Sequence, residues 1–318
     1  MAERDVVRRL LERVGLGPRP GELERALAAG PGATLDGLLT AAPDGPAAPA
    51  VRSYDREDRE ALRAGLAALR RWWLGRMVAT AAPFPERLTF FWHGHFATSA
   101  RTVRDARLML VQHETLRALG GGPFRPLVAA LAVDPAMLVW LDGGRNRRGR
   151  PNENLARELM ELFTLGVGHY SERDVREAAR ALTGWEVDRA AGTATLRARR
   201  HDDGVKTVLG VSGRLGVDEL VDLLVARPEC PRFLAGRFWL RFVSDTPPPP
   251  GRLDELAARA TTTTELLRAV VTAPEFGDPA SVLVRQPVEW LVAALRALGA
   301  TAPPDGADRG LAGLGQVL

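Results

Sequence analysis

The sequence predicts a mainly α-helical, multi-helix globular fold with one small β-hairpin near residues 185–199. Three observations carry that expectation. Apolar residues recur at spacings of three and four through most of the 318 positions, the period of helices with one buried face. Neither βαβ alternation nor a Gly-rich phosphate loop is present, which argues against a parallel sheet. Residues Trp185–Val187 and Thr193–Arg199 read as two strands turned at Ala191-Gly192.

Each element follows from local signals. Val6–Val14 carries leucines and valines at helical spacing. Gly21–Ala29 follows the break at Gly17–Pro20, and Thr34 is expected to cap Leu35–Thr40. Residues 42–51 form a Pro/Ala/Gly loop. Arg56–Thr80 reads as a long amphipathic helix with Leu62, Leu66, Leu69, Trp73 and Met77 on one face. Pro83 and Pro85 start the next segment, and Arg101–Leu119 is helical up to Gly120–Gly122. Phe124–Val133 and Pro135–Leu141 are shorter helices. Asn152–Leu165 and Ser171–Thr183 form a helical pair across Gly166-Val167-Gly168. Helical spacing returns over 217–226, 230–242, 252–259, 262–272 and 287–298. Residues 1–41 are expected as a helical segment packed on a main helical domain, 52–318.

Composition excludes several classes. No apolar run approaches the ~20 residues that span a bilayer. The charged N-terminus lacks a signal-peptide core, and Cys230 is the single cysteine, so a cytoplasmic protein without a disulfide is expected. The net charge of +4 is mild, and the pI of 10.1 reflects arginines that do not titrate near neutrality. Nucleic acid is therefore not an expected partner. The two densest basic runs, Arg145–Arg150 and Arg197–Arg200, read as solvated loop or strand ends, with phosphate binding as the alternative.

The chain contains no isoleucine, one lysine and three asparagines. A chain that uses arginine for nearly every cation makes Lys206 conspicuous, because a compact titratable amine differs from a guanidinium. Asn146, Asn152 and Asn154 lie within nine positions of one another.

Candidate chemistry gathers between Phe90 and Gly210. His93 and His95 sit in the aromatic segment FFWHGHF. In an extended stretch they would face one metal together; in a helix they would diverge by ~200° and serve instead as partly buried histidines at a helix end. In NENLARELMELFTLG, Asn154, Glu158 and Glu161 share one stripe beside the apolar stripe of Leu155, Leu159 and Leu162. Two neighbouring carboxylates beside a buried face call for a shared cation, an arginine or a metal. Ser171 to Asp174 reads as a capping box. His201 and Asp202 stand at a hairpin end, and Lys206 follows, placed to meet Glu158 and Glu161 or an anionic substrate. His113 and His169 read as incidental.

Several strings together resemble one bacterial family, the domain of unknown function 1800. They are RRLLERVGLGPRPGELERAL, LTFFWHGHFATS, NENLARELMELFTLGVGHYSERDVREAARALTGW, HDDGVKTVLG, PRFLAGRFWLRFV and RQPVEWLVAALRALG. The resemblance covers nearly the whole chain. Among the positions matching its pattern are His93, His95, Asn152, Asn154, Glu158, Glu161, Asp174, Arg180, Trp185, His201, Asp202 and Lys206. It implies no established activity. Relatives usually continue past Leu314-Gly315-Gln316, so a C-terminally short member is expected, and they resemble proteins encoded beside sulfatase-like partners.

Together these readings lead to an expected metal-assisted, hydrolase-like enzyme acting on a small-molecule substrate. Glu158, Asp202 and Lys206 would be catalytic, and His93, His95, Glu161 and His201 would hold a divalent metal ion. The alternative is a non-catalytic binding or assembly protein, with a protein partner, in which the same residues form a buried structural network.

Overall fold

Helical periodicity in the sequence becomes helix along the chain. The computed structural model describes residues 3–51 and 58–318. Among them stand seventeen α-helices, two short π-helical turns and two separate two-stranded antiparallel sheets. The fold is mainly α with small hairpins. The chain forms two compact units. One combines the stretch up to Ala50 with Arg63–Phe91 and Ala235–Leu318; the other is Trp92–Leu234 with the short stretch ending at Leu62.

In the first unit the core gathers residues far apart in sequence, with Leu16, Trp73, Met77, Phe90, Val288 and Leu311 all buried. Trp73 meets Phe90 edge-on at 5.9 Å. The buried Arg296 guanidinium donates to the carbonyls of Gly17, Val78 and Thr80, so its donors are satisfied without solvent. The expected break before Leu35 is different in kind. Helix runs from Glu22 to Thr40 with a single kink at Gly30, and Pro31 follows it. Thr34 does not cap a new helix; its hydroxyl donates back to Gly30 and Ala26. The long amphipathic helix spans Arg59–Ala79, and both its expected start at Arg56 and the expected boundary at residue 52 lie outside the described residues.

The second unit places its polar residues on a scaffold of short helices. Asp105 caps Ala106–Leu119 and Asp134 caps Pro135–Trp140 through their side chains. Trp92 stacks on Phe124 and donates its indole N–H to the Gly120 carbonyl at 2.9 Å. Strand β1, Trp185–Asp188, pairs with β2, Thr193–Leu196, in the expected place. A second hairpin, absent from the sequence reading, pairs β3, Lys206–Val208, with β4, Val211–Gly213. Its two turn residues, Leu209 and Gly210, both have positive φ, 50° and 84°. That conformation belongs to a two-residue hairpin turn, where Asn-Gly is the usual signal and leucine is not.

Candidate functional site

His93 and His95 lie in the last turn of the helix Pro83–His95, so their side chains diverge rather than converge. His95 is buried, and its Nε2 faces the Phe163 carbonyl at 3.1 Å. Its ring packs edge-on against Trp92 and Phe96, with Phe124 and Phe163 beyond. Phe163 lies in the closing turn of a helix, where carbonyls lack intrahelical partners, and His95 serves one of them. His93 keeps part of its surface exposed, yet desolvation pushes its pKa down to about 4, so the ring is neutral at physiological pH.

The expected single helix 152–165 is instead an α-helix, Asn154–Glu158, running into a π-helical turn, Leu159–Thr164. Leu165 N–H reaches back five residues to Met160 at 2.8 Å, and the Thr164 hydroxyl donates to Leu159 at 2.6 Å. The extra residue in the turn changes which side chains face inward. Leu155, Leu159 and Phe163 are buried, while Leu162, expected on the buried stripe, is 49% exposed. Single π turns of this kind frequently accompany functional sites.

Glu158 immediately precedes this turn and Glu161 lies within it. Glu161 accepts a hydrogen bond from the Tyr170 hydroxyl, and burial together with that carboxylate pushes the phenol up to about 12. Glu158 is raised above the ordinary carboxylate range, first by burial and then by Glu161. Among the described residues no cation forms an ion pair with either carboxylate. The adjacent Arg157 is engaged with Glu153 and Glu172 instead.

Asp202 and Lys206 sit elsewhere in the unit, in a clamp around the helix Glu172–Ala181. Arg180 donates to both oxygens of Asp202, at 2.8 and 3.2 Å, and to Glu177 at 2.9 Å. The fork holds the Asp202 carboxyl at about 2, which makes it a weak base. Asp202 Oδ1 also accepts the Gly204 N–H. Lys206 is buried, and its ammonium donates to the Asp202 and Gly204 carbonyls rather than to Glu158 or Glu161. Burial lowers its pKa. Glu177 and Asp174 accept the N–H groups of Thr207 and Leu209, two residues apart on β3 and its turn, at 3.0 and 2.7 Å. One helix face thus pins a strand edge. Asp174 also completes the expected capping box with Ser171.

His201 Nδ1 lies 2.9 Å from the Thr183 carbonyl, and Asp202 N–H donates to the buried Thr183 hydroxyl at 2.8 Å. Gly184, with φ of 96°, lets the chain pass beside His201; a Cβ there would lie 2.9 Å from the His201 nitrogen. Gly184 therefore serves a close backbone approach that any side chain would block.

The expected metal set is not brought together. Among the described residues no group of three His, Cys, Asp or Glu side chains could hold a metal ion. The helical separation of His93 from His95 and the engagement of Glu161 by Tyr170 account for that. Sequence reasoning passed over Tyr170; its only signal was rarity, since the chain has two tyrosines. Cys230 is buried, its thiol pushed up to about 12, in keeping with an inert core residue.

Fold and site define a mainly helical protein that carries a carboxylate pair on a π turn and an arginine–carboxylate clamp. The chain belongs to the family described as protein of unknown function (DUF1800), which it matches over residues 9–318. No curated protein and no solved structure matches it. Among the described residues no helix is long and apolar enough to cross a membrane.

Proposed function

We propose that the chain is a hydrolase-like enzyme that works by acid–base chemistry at Glu158 and Glu161. One observation carries this reading: two neighbouring carboxylates stand in unequal environments on a π turn. Glu161 is held by the Tyr170 phenol, whereas Glu158 has a raised pKa from burial and from Glu161. Separating the proton affinities of two adjacent carboxyls is a recurrent way to assign acid and base roles. Glu158 retains a proton to higher pH and is the group to exchange one with a small-molecule substrate or water. Glu161, held by the Tyr170 hydroxyl, is its partner. A divalent cation at this pair would draw two carboxylates from this chain and fill its shell with water and substrate oxygens.

The test is a hydrolysis screen over chromogenic carboxylic, phosphate and glycosidic esters, with and without divalent metal. The expected result is turnover that falls by about 10²–10⁴ in Glu158→Gln. Full turnover in that variant, or none by the wild type on any class, overturns the reading.

A second reading is favoured by the clamp. Arg180, Asp202 and Lys206 are satisfied by one another and by backbone groups, as in a binding or assembly protein built on a structural network. The two differ at Glu158. If the pair is a working site, Glu158→Gln leaves the melting temperature unchanged or raises it, because a like-charge conflict disappears. A marked fall favours the structural reading.

A further inference from the structure

The two arginine-rich runs lie far apart in sequence and side by side in the folded second unit. Arg148 N–H donates to the Arg200 carbonyl at 2.7 Å, and the Arg200 guanidinium reaches the Gly144 carbonyl at 3.4 Å. Arg147 and Arg150 pair across a tight turn that contains Gly149, with φ of 74°. The platform is anchored from below. Buried Asn146 donates to the Ala179 carbonyl at 2.8 Å, accepts the Asn152 N–H at 2.9 Å, and receives Gly184 N–H on its own carbonyl.

Arg145–Arg150 and Arg197–Arg200 together supply seven arginines. Three carboxylates pair with them: Asp142, Asp203 and Glu186. The local surplus equals the net charge of the whole chain, +4. Among the described residues, Arg147, Arg150 and Arg199 form no ion pair, and all three are exposed. A rigid base under the unmatched guanidinium groups removes only the backbone part of the ordering cost of binding.

We propose that this platform docks an acidic segment of a partner protein, a short run of Asp and Glu side chains. The arginines here already hold carboxylates, as Arg197 does with Glu186 at 2.8 Å, so the geometry suits that acceptor. The three unpaired arginines are too few to match a continuous phosphodiester ladder. A short acidic run needs no more partners than Arg147, Arg150 and Arg199 supply.

The experiment is fluorescence anisotropy of a labelled Glu/Asp-rich peptide against the full chain at low and at raised ionic strength. A DNA duplex is run in parallel. Salt-dependent peptide binding is expected, about tenfold weaker in the triple variant Arg147→Ala/Arg150→Ala/Arg199→Ala. The control triple Arg25→Ala/Arg259→Ala/Arg309→Ala, which removes equal charge elsewhere, is expected to bind like wild type. Equal weakening by the control set, tighter binding of the duplex through the same three arginines, or no peptide binding at low salt overturns the proposal.

Discussion

Arg180 and Asp202 meet as a two-point fork, with Nε on Oδ2 at 2.8 Å and Nη2 on Oδ1 at 3.2 Å. The same guanidinium reaches Glu177, whose other acceptor duty is the Thr207 N–H of β3. Removing either member therefore loosens the helix Glu172–Ala181 and the second hairpin together. Asp202→Asn is expected to cost about 2 kcal/mol of stability in urea unfolding at neutral pH. Because Asp202 is held at about 2, below its ordinary 3.8, this stabilisation is complete above pH 4. It fades as pH falls towards 2. Asp202→Asn should lack that part of the acid limb; an unchanged limb would contradict the fork.

Lys206 offers a sharper test, since its ammonium serves two carbonyls in a buried site. Lys206→Met leaves both acceptors without a donor and is expected to cost about 2–3 kcal/mol. Lys206→Arg should restore little of it, because a planar fork does not fit a site shaped for a compact ammonium. Melting curves of the two variants give the comparison; full recovery with arginine would show that any cation suffices.

Tyr170 reports directly on Glu161. In a Tyr54→Phe background it becomes the single tyrosine, and ultraviolet titration is expected to find it near 12. Burial acts first on this phenol, with the Glu161 carboxylate adding to it. Glu161→Gln should therefore bring the pKa part of the way back towards 10. A phenol that titrates identically in both proteins would mean the two side chains do not meet in solution.

Asp134 carries a pH signature of opposite sign. It is buried at the start of Pro135–Trp140, accepts Met137 N–H and the Gln112 amide, and is pushed up to about 6 by desolvation. A carboxyl raised in the folded state favours folding most when protonated, and that contribution is lost as pH rises from 3.8 through 6. Asp134→Asn keeps the accepting oxygen without the charge. It is expected to raise stability by about 2 kcal/mol at pH 8 and by almost nothing at pH 3.5. A uniform effect across that range would rule out the titration.

The helices were legible because their buried faces follow a constant period, as Leu66, Trp73 and Met77 do on Arg59–Ala79. The Glu158–Glu161 pair was legible as a conflict of charge beside an apolar stripe. Its setting was not, because a π turn changes the period within one helix and leaves no residue-type signal. Leu162 followed the expected spacing and still faces solvent. The second hairpin escaped for a related reason. Leu209 occupies a left-handed position that sequence rules reserve for Asn or Gly, and it is held there by Asp174, 35 residues away. Lys206 stood out in the sequence, but it was expected to meet Glu158 and Glu161 or an anionic substrate, and its ammonium serves backbone instead. Its partners, two main-chain carbonyls within four residues, have no side-chain identity to read.

The way the chain is divided bears on its synthesis. The second unit is almost one unbroken stretch, Trp92–Leu234, whereas the first needs Ala235–Leu318 to join segments made much earlier. On the ribosome the second unit can close as soon as its last helix emerges. Leu16, Trp73 and Phe90 lack part of their native cover until Val288 and Leu311 are translated. That interval, some two hundred codons for Trp73, is when a chaperone has most to protect.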